Sequence, residues 1–305
     1  MKKRRLGKSD LYVSELGLGA MSFGTNKKNV TRIIDEALHL GINYIDTADL
    51  YDYGENERLI GEALKKRRSD VILATKGGNR FQQGENGWTW DPSRKHLLAA
   101  VKESLSRLQT DYIDLYQLHG GTIDDNMDEV IDTFESLKKE GLIRAYGLSS
   151  IRPNTISHYV EHANMATVMM QYSLLDRRPE EWFSFLAEHD VSVVARGSLA
   201  KGILSPRPLE TVTAAKKGYL HYSPEELAQI RRGLDTLSTN GLTRSVLALQ
   251  YCLAHPPVSS VVVGASTVDQ LRQNVAAVSH TSINKVVYEE LAKLTTPTLY
   301  DKHRP

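Results

Sequence analysis

The chain has 305 residues, 41% apolar and 25% charged, enough for one large α/β domain or two ordinary ones. Its 38 Lys and Arg nearly balance 37 Asp and Glu, so no net field draws it to nucleic acid or an acidic membrane. No stretch approaches the roughly 20 apolar residues of a membrane span, no hydrophobic signal segment follows the basic start MKKRR, and a lone cysteine, Cys252, permits no internal disulfide. The expectation is a cytoplasmic protein with small-molecule partners, no nucleic acid and no membrane; its oligomeric state is not legible. Cysteine-ligand spacing and an HExxH helix are both missing from the sequence, so no metal site is expected.

In chain order, KRRLGKSDLYVSELGLG reads as a hairpin turning near Lys8 to Asp10, placed to plug the amino-terminal end of a barrel. Apolar, β-branched runs then recur as SELGLG, INYID, DVILAT, YIDLYQL, IRAYGLS, ATVMMQ, VSVVAR and SSVVVG. Most are continuous rather than alternating, as strands covered on both faces are. Helical patterns lie between them. One runs from Glu55 to Arg67, with Leu59, Ile60, Ala63 and Leu64 on one face. The next starts at Asp91-Pro92, read as a cap followed by proline, and turns Leu97, Leu98, Val101, Leu105 and Leu108 inward. A third carries Met127, Val130, Ile131, Phe134 and Leu137 and stops at Gly141. Cys252, in SVLALQYCLAHP, falls on the apolar side of a later helix and reads as core.

This alternation predicts one (β/α)8 TIM barrel spanning residues 1–305 as a single domain, with about 250 residues typical of that fold and the rest available for insertions. Two long connections, GNRFQQGENGWTWDPS and GSLAKGILSPRPLETVTAAKKGYLHYS, leave the third and seventh strands at the end where barrel active sites form, and read as lids. Trp88 and Trp90 either line an apolar pocket there or pack the first loop, and Phe23 at the first strand end carries the same two readings.

Asp46, Tyr51, Lys76 and His119 lie at or just past the downstream ends of the second, third and fourth strands, so their side chains can meet. Singly, each has a plainer reading: a helix cap, a rim aromatic, a solvated lysine, a structural histidine. Together they suit carbonyl reduction. An unperturbed tyrosine, with pKa of about 10, is a reluctant acid, and a nearby ammonium favours its ionised form. Asp46 would hold Lys76 by an ion pair, and His119, neutral, would hydrogen-bond the carbonyl oxygen. Tyr53 is the competing phenol. A metal-dependent barrel lyase or isomerase lacks a ligand cluster.

Across its whole length the chain resembles the aldo-keto reductase family, particularly bacterial members of its general-stress and inositol-cluster branch. The motifs that carry the likeness are GLGAMSFG, DTADLY, ATKGG, LYQLHG, YGLSSIRP, MMQYSLLDRR and VVVGASTVDQLRQN. It implies NADPH-dependent reduction of small aldehydes or ketones, with Tyr51 as proton donor; NADH is the alternative cofactor. A second function it leaves open is a nucleotide-binding redox sensor or regulatory subunit with incidental catalysis.

The resemblance also assigns the cofactor side. Ala20 and Met21 border the nicotinamide ribose, Asp46 reaches the cofactor as well, and Ser149 and Gln171 bind the carboxamide. Ser150 replaces the family's asparagine and shortens that side chain. Arg196 stands where many relatives stack an aromatic ring. Gly197, Ser198, Leu199 and Gly202 form a candidate pyrophosphate loop with Lys201 available for charge. Gly264, Ala265, Ser266, Gln270 and Asn274 fall on the adenosine side, where a helix starting near Thr267 favours an anion. The basic residue often found near the 2′-phosphate is missing, and Arg272 or an inserted loop is the expected substitute. GLGAMSFG is nearly a dinucleotide fingerprint, but it lacks the acidic ribose partner and the two-fold βαβ organisation.

Overall fold

The computed structural model describes residues 1–82, 84–239, 241–280 and 282–305. Eight strands form its centre: β1 Leu16–Gly19, β2 Tyr44–Asp46, β3 Ile72–Gly77, β4 Ile113–Leu118, β5 Ile143–Ser149, β6 Thr167–Gln171, β7 Ser192–Arg196 and β8 Val258–Gly264. Each pairs in parallel with the next, and β8 pairs with β1 to close the (β/α)8 barrel. Register then sets the site. Asp46 pairs with Ala74 and Lys76 with Gln117, so Lys76, two residues beyond Ala74, points to the same side as Asp46 at the carboxyl end.

At the other end, Lys3–Arg5 and Tyr12–Ser14 pair antiparallel in the expected hairpin. Its Leu6, Leu11 and Val13 are fully buried against Tyr44, Ala74, Leu115, Ala145, Ala166, Met169 and Val194 inside the barrel. Gly7 makes the close approach: φ is +48°, and a Cβ there would stand 2.3 Å from the Ala166 carbonyl oxygen and 2.5 Å from that of Asp190.

The outer layer packs apolar helix faces on the strands, as on Met127–Lys139, where Val130, Phe134 and Leu137 are buried. Two helix boundaries depart from the sequence reading. The second helix ends at Leu64 rather than Arg67, and Arg67 turns back to pair with Asp70 at 3.1 Å. The third begins at Arg94 under a Ser93 cap, because Asp91 is spent accepting from the Ser93 backbone N–H and pairing with Arg80. Helix Lys27–His39, between β1 and β2, was not singled out by its sequence pattern. Cys252 is fully buried as expected, and burial pushes its thiol up to about 12.

The first long connection pairs Asn79–Arg80 with Thr89–Trp90; Gln83 within it lies outside the described residues. The second carries the short helix Thr213–Lys216 and ends at Ser223, which caps helix Pro224–Leu237.

Candidate active site

Lys76 is 1% exposed and Asp46 3%. The lysine Nζ donates to Asp46 Oδ1 at 2.6 Å and to the Thr47 carbonyl at 2.6 Å, while Gln117 Nε2 donates to Asp46 Oδ2 at 3.2 Å. Burial pushes the ammonium toward losing its proton, but the adjacent carboxylate, with Tyr51, outweighs it and leaves the lysine above its usual range. Asp46 sits above the usual carboxylate range, because burial is only partly countered by Lys76 and Gln117. The lysine remains a cation held in one place.

Tyr51 opens a short 3-10 turn, Tyr51–Gly54, whose Asp52 and Tyr53 take left-handed backbone at φ +49° and +51°. Its ring centroid is 5.1 Å from Lys76 Nζ and 6.0 Å from the His119 ring, which meets it edge-on at 82°. His119 follows β4, where its backbone N–H donates to the Gly77 carbonyl at 2.8 Å. Burial first, then the charges of Lys76 and Arg196, drive its pKa down to about 3, so the imidazole is neutral and keeps one donor and one acceptor nitrogen. Its Nδ1 is buried with no partner among the described residues. Tyr53 turns away, its hydroxyl accepting from the Gly87 N–H at 3.2 Å.

Thr47, Asn56 and Gln117 support the four and were not picked out from sequence. Thr47 Oγ1 donates to Asn56 Oδ1 at 2.7 Å, and Asn56 Nδ2 donates to the Ala20 carbonyl at 2.9 Å, tying the exit of β1 to that of β2. A polar residue inside the apolar run YIDLYQL was the available signal for Gln117.

The four face a cleft of about 970 Å³. Ala20, Met21, Ser149, Gln171, Arg196, Gly197, Ser198, Leu199, Lys201, Gly202, Gly264, Ser266, Gln270 and Asn274 all line it. Ala265 does not; it is buried in the outer core. Ser150 also lies outside the cleft, its Oγ accepting from the Arg152 N–H at 3.2 Å. Arg272, the cation offered for that side, is not among the cleft-lining residues and pairs with Glu36 at 2.8 Å. The inserted loop instead brings Arg207 to the wall. Gln270 folds back, its Oε1 accepting from the Ser266 N–H at 2.9 Å and hydroxyl at 3.0 Å.

The aromatic candidates are not among the cleft-lining residues either. Phe23 is core, and Trp88 is exposed. Trp90 packs the loop down: its Nε1 donates to Asp125 Oδ1 at 2.9 Å, and its ring covers Gly78 and Gly120 so closely that a Cβ on either would be crowded. The cleft's volume and donor set suit a nicotinamide dinucleotide. Neutral imidazole and phenol stand at one end, and Arg196, Lys201 and Arg207 are available to phosphates.

The family model described as "Aldo/keto reductase family" matches residues 15–295. An uncharacterized oxidoreductase of Bacillus subtilis (strain 168), YqkF, is 53% identical over 306 residues covering all of both chains. L-galactose dehydrogenase of Arabidopsis thaliana is 32% identical, over 90% of this chain and 88% of that one. Among solved structures, the holo form of aldo-keto reductase AKR11C1 from Bacillus halodurans superposes with a TM-score of 0.95 at 56% identity, covering all of both chains.

Proposed function

Because the chain belongs to the aldo/keto reductase family, it is a nicotinamide-dependent oxidoreductase, and we propose that it reduces small aldehydes or ketones to alcohols with NADPH, Tyr51 giving the proton. The observation that carries this reading is the buried Lys76 ammonium, 2.6 Å from Asp46 and 5.1 Å from the Tyr51 ring.

A reduced nicotinamide supplies the hydride when bound. Tyr51 then donates its hydroxyl proton to the carbonyl oxygen, and Lys76 meets the negative charge that grows on the phenol oxygen. Neutral His119 donates a hydrogen bond to the same carbonyl oxygen, orienting it and stabilising the charge developing there. Asp46, Gln117 and the Thr47 carbonyl keep the ammonium from moving, so little reorganisation is needed in the transition state. In alcohol oxidation Tyr51 acts as the base.

NADH is the second reading, and one observation favours it: at the start of the last barrel helix Gln270 is closed on Ser266, and Arg272, paired with Glu36, is not among the cleft-lining residues. Anaerobic titration with each reduced cofactor, followed by its oxidation in the presence of a panel of aldehydes and ketones, tests both. We expect tight NADPH binding and carbonyl-dependent oxidation. Binding without oxidation by any carbonyl would sink the reductase reading and favour a redox sensor.

A further inference from the structure

The Gln171 side chain is saturated in a way that decides how its amide sits. Its nitrogen donates to Asp176 Oδ2 at 2.8 Å and to the Tyr219 hydroxyl at 3.3 Å, and its oxygen accepts from Arg196 Nη1 at 3.2 Å. Asp176 is fully buried and holds Arg178 bidentately, Nε to Oδ1 at 2.7 Å and Nη2 to Oδ2 at 2.8 Å. So paired, the carboxylate only accepts, and the amide atom facing it must be nitrogen. A reversed amide would set oxygen against oxygen in a buried place. Gln171 therefore turns an acceptor, and no donor, toward the cleft.

The Arg178 end is braced too. The ring of Tyr300, near the carboxyl terminus, lies 4.9 Å from the guanidinium, and the Tyr300 N–H donates to Glu181 at 3.3 Å. At the open end, Arg196 is exposed, so a ligand donor can exchange with it at the Gln171 oxygen at small cost. Ser150 is not among the residues of this wall; its hydroxyl oxygen accepts from the Arg152 N–H outside the cleft. Recognition thus depends more heavily on the orientation of one amide.

We propose that Asp176 is a positioning residue for cofactor recognition: by locking Gln171 it selects a ligand amide N–H, that of the nicotinamide carboxamide, and leaves the carboxamide oxygen to the Ser149 hydroxyl. This rests on the reading of Gln171 as a cofactor contact, and the experiment separates the two. Dissociation constants of the full-length protein are measured by fluorescence for NADPH and for its reduced 3-acetylpyridine analogue, which has no amide N–H to donate. The wild type should prefer NADPH by about tenfold, the worth of one well-placed hydrogen bond. In Asp176→Asn the new side-chain amide can face Gln171 either way round, so the preference should shrink to within about twofold, through weaker NADPH binding alone. Gln171→Leu should give the same loss.

If Gln171→Leu keeps the preference, or the wild type has none, the cofactor-contact reading fails. If Gln171→Leu abolishes it while Asp176→Asn keeps it, or weakens both ligands equally, the positioning role of Asp176 is overturned. Should Asp176→Asn not fold, Asp176→Ser decides: it removes the carboxylate and leaves a hydroxyl that can donate or accept toward either amide atom, so the preference should again shrink to within about twofold. A preference unchanged in that variant counts against the lock.

Discussion

The two ends of the barrel solve the same geometric problem with opposite chemistry. At the amino end the inward side chains meet Leu6, Leu11 and Val13 of the hairpin and are sealed by apolar packing. At the carboxyl end the same strands present Asp46, Lys76 and Gln117, buried as deeply but joined to one another by hydrogen bonds. Replacing a buried ion pair by apolar residues is often neutral or stabilising, so stability does not explain its presence. The plug holds the cylinder closed; the ion pair holds a charge beside a phenol.

Four perturbations break or sharpen this contrast. Tyr51→Phe keeps the ring and removes the transferable proton, so kcat for carbonyl reduction should fall by roughly 10²–10⁴ while melting temperature and cofactor affinity stay near wild type. Full turnover in that variant rejects Tyr51 as donor. Lys76→Met strands the Asp46 carboxylate and should cost about 3–5 kcal/mol in denaturant unfolding, with a loss of turnover besides. Adding Asp46→Asn should recover much of the stability and none of the rate; simple additivity would mean that the pair is not coupled.

Leu11→Ala touches only the sealed end. It should cost about 2–5 kcal/mol as a core truncation, yet leave the cofactor dissociation constant within about twofold. A large change in binding would show that the ends are not independent.

The smallest effect concerns His119, whose folded pKa of about 3 lies below its usual value, chiefly through burial. The unfolded chain therefore binds more protons between about pH 6.5 and 3, and the folded state loses stability as pH falls through that window. A His119→Asn variant should show a shallower drop in melting temperature there. Identical pH profiles would contradict a neutral, buried imidazole.

Most of the architecture was legible along the chain. Continuous β-branched runs and helix-spaced leucines report burial directly, and glycines such as Gly141 punctuate them. Boundaries were less legible where polar groups compete: Asp91 and Ser93 can both cap the third helix, and the presence of Arg80 tips Asp91 away from that role. Trp88 and Trp90 look alike in sequence, yet one is exposed and the other is pinned by Asp125 from a different loop. Arg272 and an inserted loop were both open as sources of a cation; Arg272 meets Glu36, 236 residues away, while the loop brings Arg207 to the cleft.

Local order in the chain was enough to specify the strand and helix periods, the hairpin and the chemistry collected at the strand ends, because these depend on residues a few positions apart. Folding in three dimensions settled the partners: which cation is spent, which hydroxyl is committed, which way the Gln171 amide faces. Those choices arise because each buried donor or acceptor must be satisfied by whatever distant residue closure of the barrel brings within reach.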